Sequence, residues 1–231
     1  MKLQICGMNN TIDAGPDNFG CSIFLKGCNL RCPYCMNASL VNGKCETDIK
    51  LDDVYDFVKK DKSDWVFISG GEPTYAYSED ILPMIINFYK MGKKIGISTN
   101  GTDPDTLNEL LSWVNYVAMD LKGDIKTYEK ISGVAGGKVF MKVIESWNLL
   151  RDYDGDYEIR TTAYPHFVDM NIVCFMSDFF IQDEKWVFQV YRPTNDMLEE
   201  VYDESNYAEY TNSIADYAKS ICKANVSVRH V

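Results

Sequence analysis

Three closely spaced cysteines are the residues in this sequence best suited to chemistry. Cys28, Cys32 and Cys35 have the spacing C-x3-C-x2-C within a chain of 231 residues. A [4Fe–4S] cluster normally takes four thiolate ligands, so a set of three leaves one iron open to chelate an amine and a carboxylate. The alternative is a zinc site completed by a fourth residue, for which Cys45 is the nearest cysteine and both histidines are distant. The spacing therefore predicts a metal site.

Glycine-rich and polar segments lie at the ends of later predicted strands. The first has two glycines before an acid, the second contains an Asn-Gly turn signal, and the others carry charged side chains. Each also has a plainer interpretation as a turn or an ion pair. Polar residues at the carboxyl ends of barrel strands, however, more often face a ligand. The candidate ligand-binding residues are Gly70, Gly71, Glu72, Ser98, Thr99, Asn100, Asp120, Lys122 and Arg160.

Strand-like and helix-like stretches alternate along the chain, which predicts a parallel sheet with helical connections. The predicted strands cover residues 21–26, 64–69, 94–99, 115–122, 156–162 and 185–192. Helical patterns occur around residues 51–60, 78–92, 103–112, 140–147, 169–181 and 207–221. In the fourth predicted strand, Ala118, Asp120 and Lys122 share one face. A sheet covered by helices on both faces would be apolar on both. We therefore expect an α/β fold, a partial (β/α)6 barrel of the TIM type with a polar interior.

Size, charge and composition limit the class of protein. The apolar fraction of 46% suits one globular domain over residues 1–231, with a core at about 18–192 and a C-terminal helix and short extension at 193–231. The net charge of −11 argues against nucleic acid as a partner. We find neither a membrane span nor a signal peptide, so we expect no membrane partner and a cytoplasmic location. The eight cysteines should then be reduced, and we interpret five of them as ordinary core or surface residues: Cys6, Cys21, Cys45, Cys174 and Cys222.

The cysteine segment GCNLRCPYC resembles the signature of the radical S-adenosylmethionine (SAM) superfamily, in which an aromatic residue precedes the third cysteine. The resemblance implies that the three cysteines are the catalytic cluster ligands. It also implies that SAM binds the open iron and is cleaved reductively to a 5′-deoxyadenosyl radical. The GGE segment would contact the SAM amino group, Lys122 the SAM carboxylate, and Asp120 a monovalent cation. Arg160 would bridge interior carboxylates or touch SAM or substrate. The full set of expected SAM-site residues is Tyr34, Gly70, Gly71, Glu72, Ser98, Thr99, Asn100, Asp120, Lys122 and Arg160.

Further segments are similar to glycyl-radical-enzyme activases, namely GCNLRCPYCMN, VAMDLKG and YEIRTT. Among these activases, the activators of anaerobic ribonucleoside-triphosphate reductase are the most similar, and pyruvate formate-lyase activase is a near relative. This resemblance implies removal of a glycine Cα hydrogen from the partner, which would be the large subunit of anaerobic ribonucleotide reductase or an enzyme of the pyruvate formate-lyase type. Flavodoxin or ferredoxin would donate the electron.

Two positions depart from the activase pattern: Ser98 stands where these activases usually carry Asp, and Met36 where they usually carry His. Gln189 and Tyr191 are candidate substrate-side residues, and His166 is a weaker catalytic candidate than a surface residue. Two alternatives remain open. One is a radical SAM enzyme acting on a small molecule, similar to 7-carboxy-7-deazaguanine synthase. The other is a non-catalytic iron–sulfur or zinc protein that binds a partner.

Overall fold

The fold is built on a single sheet. The structure is a computed structural model that describes residues 3–11, 19–45, 49–75, 78–199 and 206–230. Eight strands in these ranges follow one another in chain order: β1 (Ile5–Thr11), β2 (Gly20–Leu25), β3 (Trp65–Gly70), β4 (Lys94–Thr99), β5 (Tyr116–Asp120), β6 (Asp156–Thr162), β7 (Lys185–Gln189) and β8 (Asn225–Arg229). β1 is antiparallel to β2, and each later neighbouring pair is parallel. Within the described ranges β1 and β8 do not pair, so the barrel is open and partial.

Helices connect the parallel strands. They are α1 (Ala38–Val41), α2 (Leu51–Lys60), α3 (Ser78–Lys90), α4 (Pro104–Leu111), α5 (Ile125–Ser132), α6 (Gly136–Arg151), α7 (Met170–Ser177) and α8 (Tyr207–Ile221). α4 begins as its sequence indicates, because Pro104 occupies the first turn and the Asp103 side chain accepts a hydrogen bond from Thr106 N at 3.2 Å. In the part of the chain that is described, no helix has the length and apolar character to cross a bilayer.

The predicted α/β partial barrel is confirmed, and the described part of the chain has two further strands that the sequence pattern did not predict. The six predicted strands correspond to β2–β7, and the structure adds one strand at each edge of the sheet. Of the β1 residues whose burial is described only Ile5 is buried, and β8 buries only Val226. The β1 sequence ICGMNNT shows no regular alternation of apolar and polar residues, so the pattern did not reveal that strand. The β8 sequence NVSVR does alternate, so a usable signal for that strand was present and was missed.

The two faces of the sheet differ in polarity, as predicted from β5. Val117 and Met119 are fully buried in the main core. Ala118, on the opposite face, belongs to a small separate apolar cluster with Phe67 and Tyr116. Because side chains alternate along a strand, this interior face continues toward the polar residues at the strand ends. The small cluster fills part of the barrel interior beneath them.

Two cysteines correct the expectation of reduced, unpaired thiols. The structure joins Cys6 of β1 to Cys45 in a disulfide, with their Cα atoms 5.7 Å apart. An antiparallel bridge between Ile5 and Ile49 brings the segment after α1 alongside β1. The two cysteines are 39 residues apart, and β1 was not predicted, so no sequence pattern indicated that they pair. The remaining six cysteines are free.

Candidate cofactor site

A pocket of 230 Å³ lies at the carboxyl ends of the parallel strands. It brings together all thirteen residues that the sequence predicted for the site: Cys28, Cys32, Tyr34, Cys35, Gly70, Gly71, Glu72, Ser98, Thr99, Asn100, Asp120, Lys122 and Arg160. They come from the loop after β2 and from the ends of β3, β4, β5 and β6. The location of these residues therefore agrees with the prediction, while their individual roles remain predictions.

The cysteine loop runs from β2 to α1 and is held by backbone hydrogen bonds. Gly27 N donates to Leu40 O at 3.1 Å, and Arg31 N donates to Ile131 O at 2.7 Å, which ties the loop to the end of α5. Cys35 N donates to Cys32 O at 2.9 Å and closes a turn. These main-chain bonds hold the loop without using the three thiols, which stay free.

The thiols lie in a buried environment. Burial, with a smaller contribution from the Glu72 carboxylate, raises the pKa of the Cys28 thiol to about 12. Burial also raises the pKa of the Cys32 and Cys35 thiols. Weak hydrogen bonds reach the Cys28 sulfur from Leu30 N at 3.4 Å and from the Asn100 side chain at 3.8 Å. Metal binding at these thiols must therefore displace their protons.

The donor set fits an iron–sulfur cluster. Three soft sulfur donors around one pocket suit iron–sulfur ligation, and the two local hydrogen-bond donors suit thiolate sulfur. Among the described residues, no three His, Cys, Asp or Glu side chains form a group placed to hold a single metal ion. Cys28, Cys32 and Cys35 would hold the cluster.

The two glycines of the GGE segment have a structural role that the sequence did not reveal. Gly71 N donates to Leu25 O at 2.8 Å, and Glu72 N donates to Gly27 O at 2.7 Å. A Cβ atom on Gly71 would overlap the Gly27 backbone, and a Cβ atom on Gly70, whose φ is 108°, would overlap the Leu25 backbone. We expected these glycines to let the backbone approach a ligand. The close approach in the structure is to the backbone that leads into the cysteine loop.

Glu72 links the ends of β3 and β4. One carboxylate oxygen accepts hydrogen bonds from Thr74 N at 3.1 Å, from the Thr74 hydroxyl at 2.9 Å and from the Thr99 hydroxyl at 2.7 Å. The other accepts from Asn100 N at 2.6 Å. The side chain is 2% exposed, and burial raises its pKa despite these donors. Both oxygens of Glu72 are thus engaged by the chain itself, which fixes Thr99 and Asn100 in the pocket wall.

Asp120 and Lys122 form an ion pair within the pocket, with 2.8 Å between Nζ and Oδ2. Burial alone would lower the pKa of Lys122, but the Asp120 carboxylate and nearby groups raise it well above its usual range. Lys122 is therefore positively charged. Its ammonium lies at the Asp120 oxygen where we expected a monovalent cation, and nothing in the described site supports that cation.

Arg160 belongs to a buried charge network. Its guanidinium donates to Glu158, which also receives the Arg229 guanidinium, with 2.8 Å between Nη2 and Oε2. Burial would raise the pKa of Glu158, but the two guanidinium groups hold it at about 2. Arg160 therefore bridges the interior carboxylate of Glu158, as one of its expected roles required. It also lines the pocket.

The three remaining candidates lie in different places. Gln189 lines the pocket at the end of β7. Tyr191 does not line it: its ring lies 4.8 Å from that of Tyr164 in the core, because β7 ends at Gln189 and the alternation of faces stops there. His166 is exposed and packs edge-on against Tyr164. The Tyr34 ring also lies 5.3 Å from Tyr164.

Several pocket residues were missed by the sequence interpretation: Leu30, Asn37, Val41, Ser69 and Thr162. Ser69 and Thr162 lie at strand ends beside predicted site residues, so their position was a usable signal. Leu30 and Asn37 flank the cysteines in sequence. Val41 lies on the short helix α1, and no pattern pointed to it.

The fold and the pocket define a class of enzyme, and comparison with known proteins agrees with it. Residues 22–175 match the Radical SAM superfamily, and the chain belongs to that superfamily. It is 30% identical over 176 residues to MJ1227 of Methanocaldococcus jannaschii, a predicted glycyl-radical enzyme activating enzyme, covering 73% of this chain and 72% of the relative. It is also 35% identical over 96 residues to 7-carboxy-7-deazaguanine synthase of Thermoplasma acidophilum, covering 41% and 43%.

A solved structure shares the fold. Streptococcus suis SuiB bound to S-adenosylmethionine superimposes with a TM-score of 0.62 at 20% identity. The superposition covers 89% of this chain and 48% of SuiB, so the chain spans about half the length of that protein. The match to the Radical SAM superfamily implies a [4Fe–4S] cluster and SAM as the cofactors of this enzyme.

Proposed function

We propose that the protein is an activase for a glycyl-radical enzyme, and that its partner is an anaerobic, class III ribonucleoside-triphosphate reductase. The activase would remove one hydrogen from the Cα of a glycine in the partner. The observation that carries the proposal is the similarity to MJ1227 over 73% of the chain, and the thirteen expected site residues line one pocket of this chain. An enzyme of the pyruvate formate-lyase type is the related partner to compare.

The proposed roles divide between ligation, binding and positioning. Cys28, Cys32 and Cys35 would hold the cluster, and the positive charge of Lys122 would bind the SAM carboxylate. Glu72 would act as a positioning residue, because its hydrogen bonds hold the ends of two strands in place. When bound, the cluster supplies the electron that cleaves SAM to the radical that removes the hydrogen. The chain needs no general base for this chemistry.

The substrate side supports a polypeptide loop. Gln189, Thr162 and Arg160 line the pocket from β6 and β7, and they supply donors and acceptors that a peptide backbone needs when it is buried. Glycine suits the role because it adds no side chain to the entering loop. The proposed electron donor is flavodoxin or ferredoxin, and the proposed location is the cytoplasm, where such carriers are reduced.

The test is the formation of a protein radical. The activase, SAM, a reductant and class III ribonucleotide reductase are mixed without oxygen, and the partner is examined by electron paramagnetic resonance (EPR). We expect a doublet signal on the partner, and its loss when the target glycine is changed to alanine. Consumption of SAM without a radical on either type of partner would refute the proposal.

A second candidate is a radical SAM enzyme for a small heterocycle. The 35% identity to 7-carboxy-7-deazaguanine synthase favours it, although that similarity covers less than half of each chain. The same anaerobic mixture, with candidate heterocycles in place of the partner, distinguishes the two. A SAM-dependent change in the heterocycle, together with no partner radical, would establish this second function instead.

A further inference from the structure

A second groove lies beside the cofactor pocket, on the outer side of the cysteine loop. Its volume is 320 Å³. It is lined by Asn29, Leu30, Thr102, Ser132, Val134, Lys138, Val139 and Lys142. Leu30 lines both this groove and the cofactor pocket, and it lies between two of the cluster cysteines. One buried side chain therefore separates the groove from the cofactor site.

The groove is basic in a strongly acidic protein. Residues 125–142, which form α5 and the start of α6, contain four lysines and one glutamate, whereas the whole chain has a net charge of −11. Arg31, exposed on the cysteine loop, adds a further positive charge at the same edge. We call the surface formed by the groove and these basic residues the basic groove.

Two of its lysines have no acidic partner among the described residues. Lys138 and Lys142 are exposed and four residues apart on α6, so their like charges repel each other. No ion pair involves either of them in the part of the chain that the structure describes. Val134, between α5 and α6, is 58% exposed in the same groove. An apolar centre with a charged rim is typical of a protein interface.

We propose that the basic groove is the docking site for a small acidic electron-carrier protein of the flavodoxin or ferredoxin type. The net charge of the chain repels an acidic partner over most of the surface, so the basic groove is where such a partner is attracted. Docking there places the carrier one side chain from the cofactor pocket. Apart from Leu30, none of the groove residues lines that pocket, so the substrate side stays uncovered.

Electron transfer from the docked carrier to the cluster site would be a single-electron step. The carrier is oxidised by one electron, the cluster site is reduced by one electron, and no proton or chemical group moves between the two proteins. The proposal rests on membership of the radical SAM superfamily and on a cluster at the three cysteines. It does not depend on which substrate the radical attacks.

The first experiment measures binding of fluorescently labelled oxidised flavodoxin to the iron-free and the reconstituted protein, by fluorescence anisotropy. The test variant is Lys138→Glu with Lys142→Glu. The matched control is Lys59→Glu with Lys60→Glu, two exposed lysines on α2 that give the same change in net charge. We expect about tenfold weaker binding in the test variant at low ionic strength, little change in the control, and a smaller difference at high salt. Lys138→Arg with Lys142→Arg should bind as the original protein does.

The second experiment separates docking from catalysis. SAM cleavage by the reconstituted protein is driven either by reduced flavodoxin or by dithionite, which needs no docking site. The test variant should lose most of the flavodoxin-driven rate and keep the dithionite-driven rate. Neither assay contains a glycyl-radical enzyme, so failure of the proposed partner would leave this result unaffected.

Four results would overturn the proposal. Unchanged flavodoxin binding in the test variant would remove the groove as its site. Equal weakening in the test and control variants would show that binding follows net charge alone. Loss of the dithionite-driven rate would place the two lysines in the cofactor site. Normal flavodoxin binding with loss of the flavodoxin-driven rate would show that the two lysines do not act in docking.

Discussion

The carboxylate of Glu72 is expected to stabilise the site by joining two strand ends, and Glu72→Gln tests this. The substitution preserves size but replaces one acceptor oxygen with an amide NH₂ group. If the amide oxygen keeps the three donors from Thr74 and Thr99, the NH₂ group faces Asn100 N, where the carboxylate now accepts at 2.6 Å. Two buried donors are then unpaired, at ~1–3 kcal/mol each. In the opposite orientation the NH₂ group would face the three donors from Thr74 and Thr99, which leaves more donors unpaired. The estimate therefore uses the first orientation, with two unpaired donors.

The assay is urea unfolding of the iron-free protein, followed by circular dichroism. We expect the free energy of unfolding to fall by ~4 kcal/mol, from two unpaired donors at ~2 kcal/mol each. The control is Glu145→Gln, an exposed glutamate on α6, for which we expect a change within ~0.5 kcal/mol. If Glu72→Gln changes stability as little as the control but abolishes SAM binding, the carboxylate serves the ligand and the reasoning is wrong.

Three further predictions concern charge, backbone space and pH. Lys122→Met should weaken SAM binding by about 10- to 100-fold, which is the equivalent of one charged hydrogen bond, and should leave folding unchanged. Calorimetry measures the affinity, and an unchanged affinity would leave Lys122 as an ion-pair partner only. Gly71→Ala should destabilise the cysteine loop, because its Cβ would overlap Gly27, whereas Gly137→Ala has open space and should be tolerated; equal thermal stability of the two variants would contradict this. The depressed pKa of Glu158 means that its contribution to stability is present above its ordinary pKa and is lost as pH falls toward about 2. Glu158→Gln should flatten the pH dependence of unfolding in that acidic window, and an unchanged acid profile would count against it.

Regular parallel strands with clear turn signals were predictable from the sequence. β4 and β6 begin and end at the predicted residues, because each has apolar alternation and polar residues at both ends. α5 was not predicted, although its signals are present in the sequence. The Asp124 side chain caps its first turn, and Gly133 ends it in the left-handed conformation with a φ of 70°.

Residues of the site were predictable where a local motif carried them. The cysteine spacing and the strand-end segments identified the pocket lining without any knowledge of distant contacts. The ion pair between Glu158 and Arg229 spans 71 residues and depends on the unpredicted β8, so no local pattern could reveal it. The same holds for Cys6 and Cys45, whose disulfide depends on the unpredicted β1.

The most direct test of the account is the iron content of anaerobically reconstituted protein and of its cysteine variants. Three-thiolate ligation of one cluster predicts about four iron atoms per chain. Cys28→Ala, Cys32→Ala and Cys35→Ala should each lose most of that iron, whereas Cys45→Ala, which removes a cysteine outside the pocket, should keep it. A full complement of iron in Cys32→Ala would contradict the assignment of the cluster to these three cysteines.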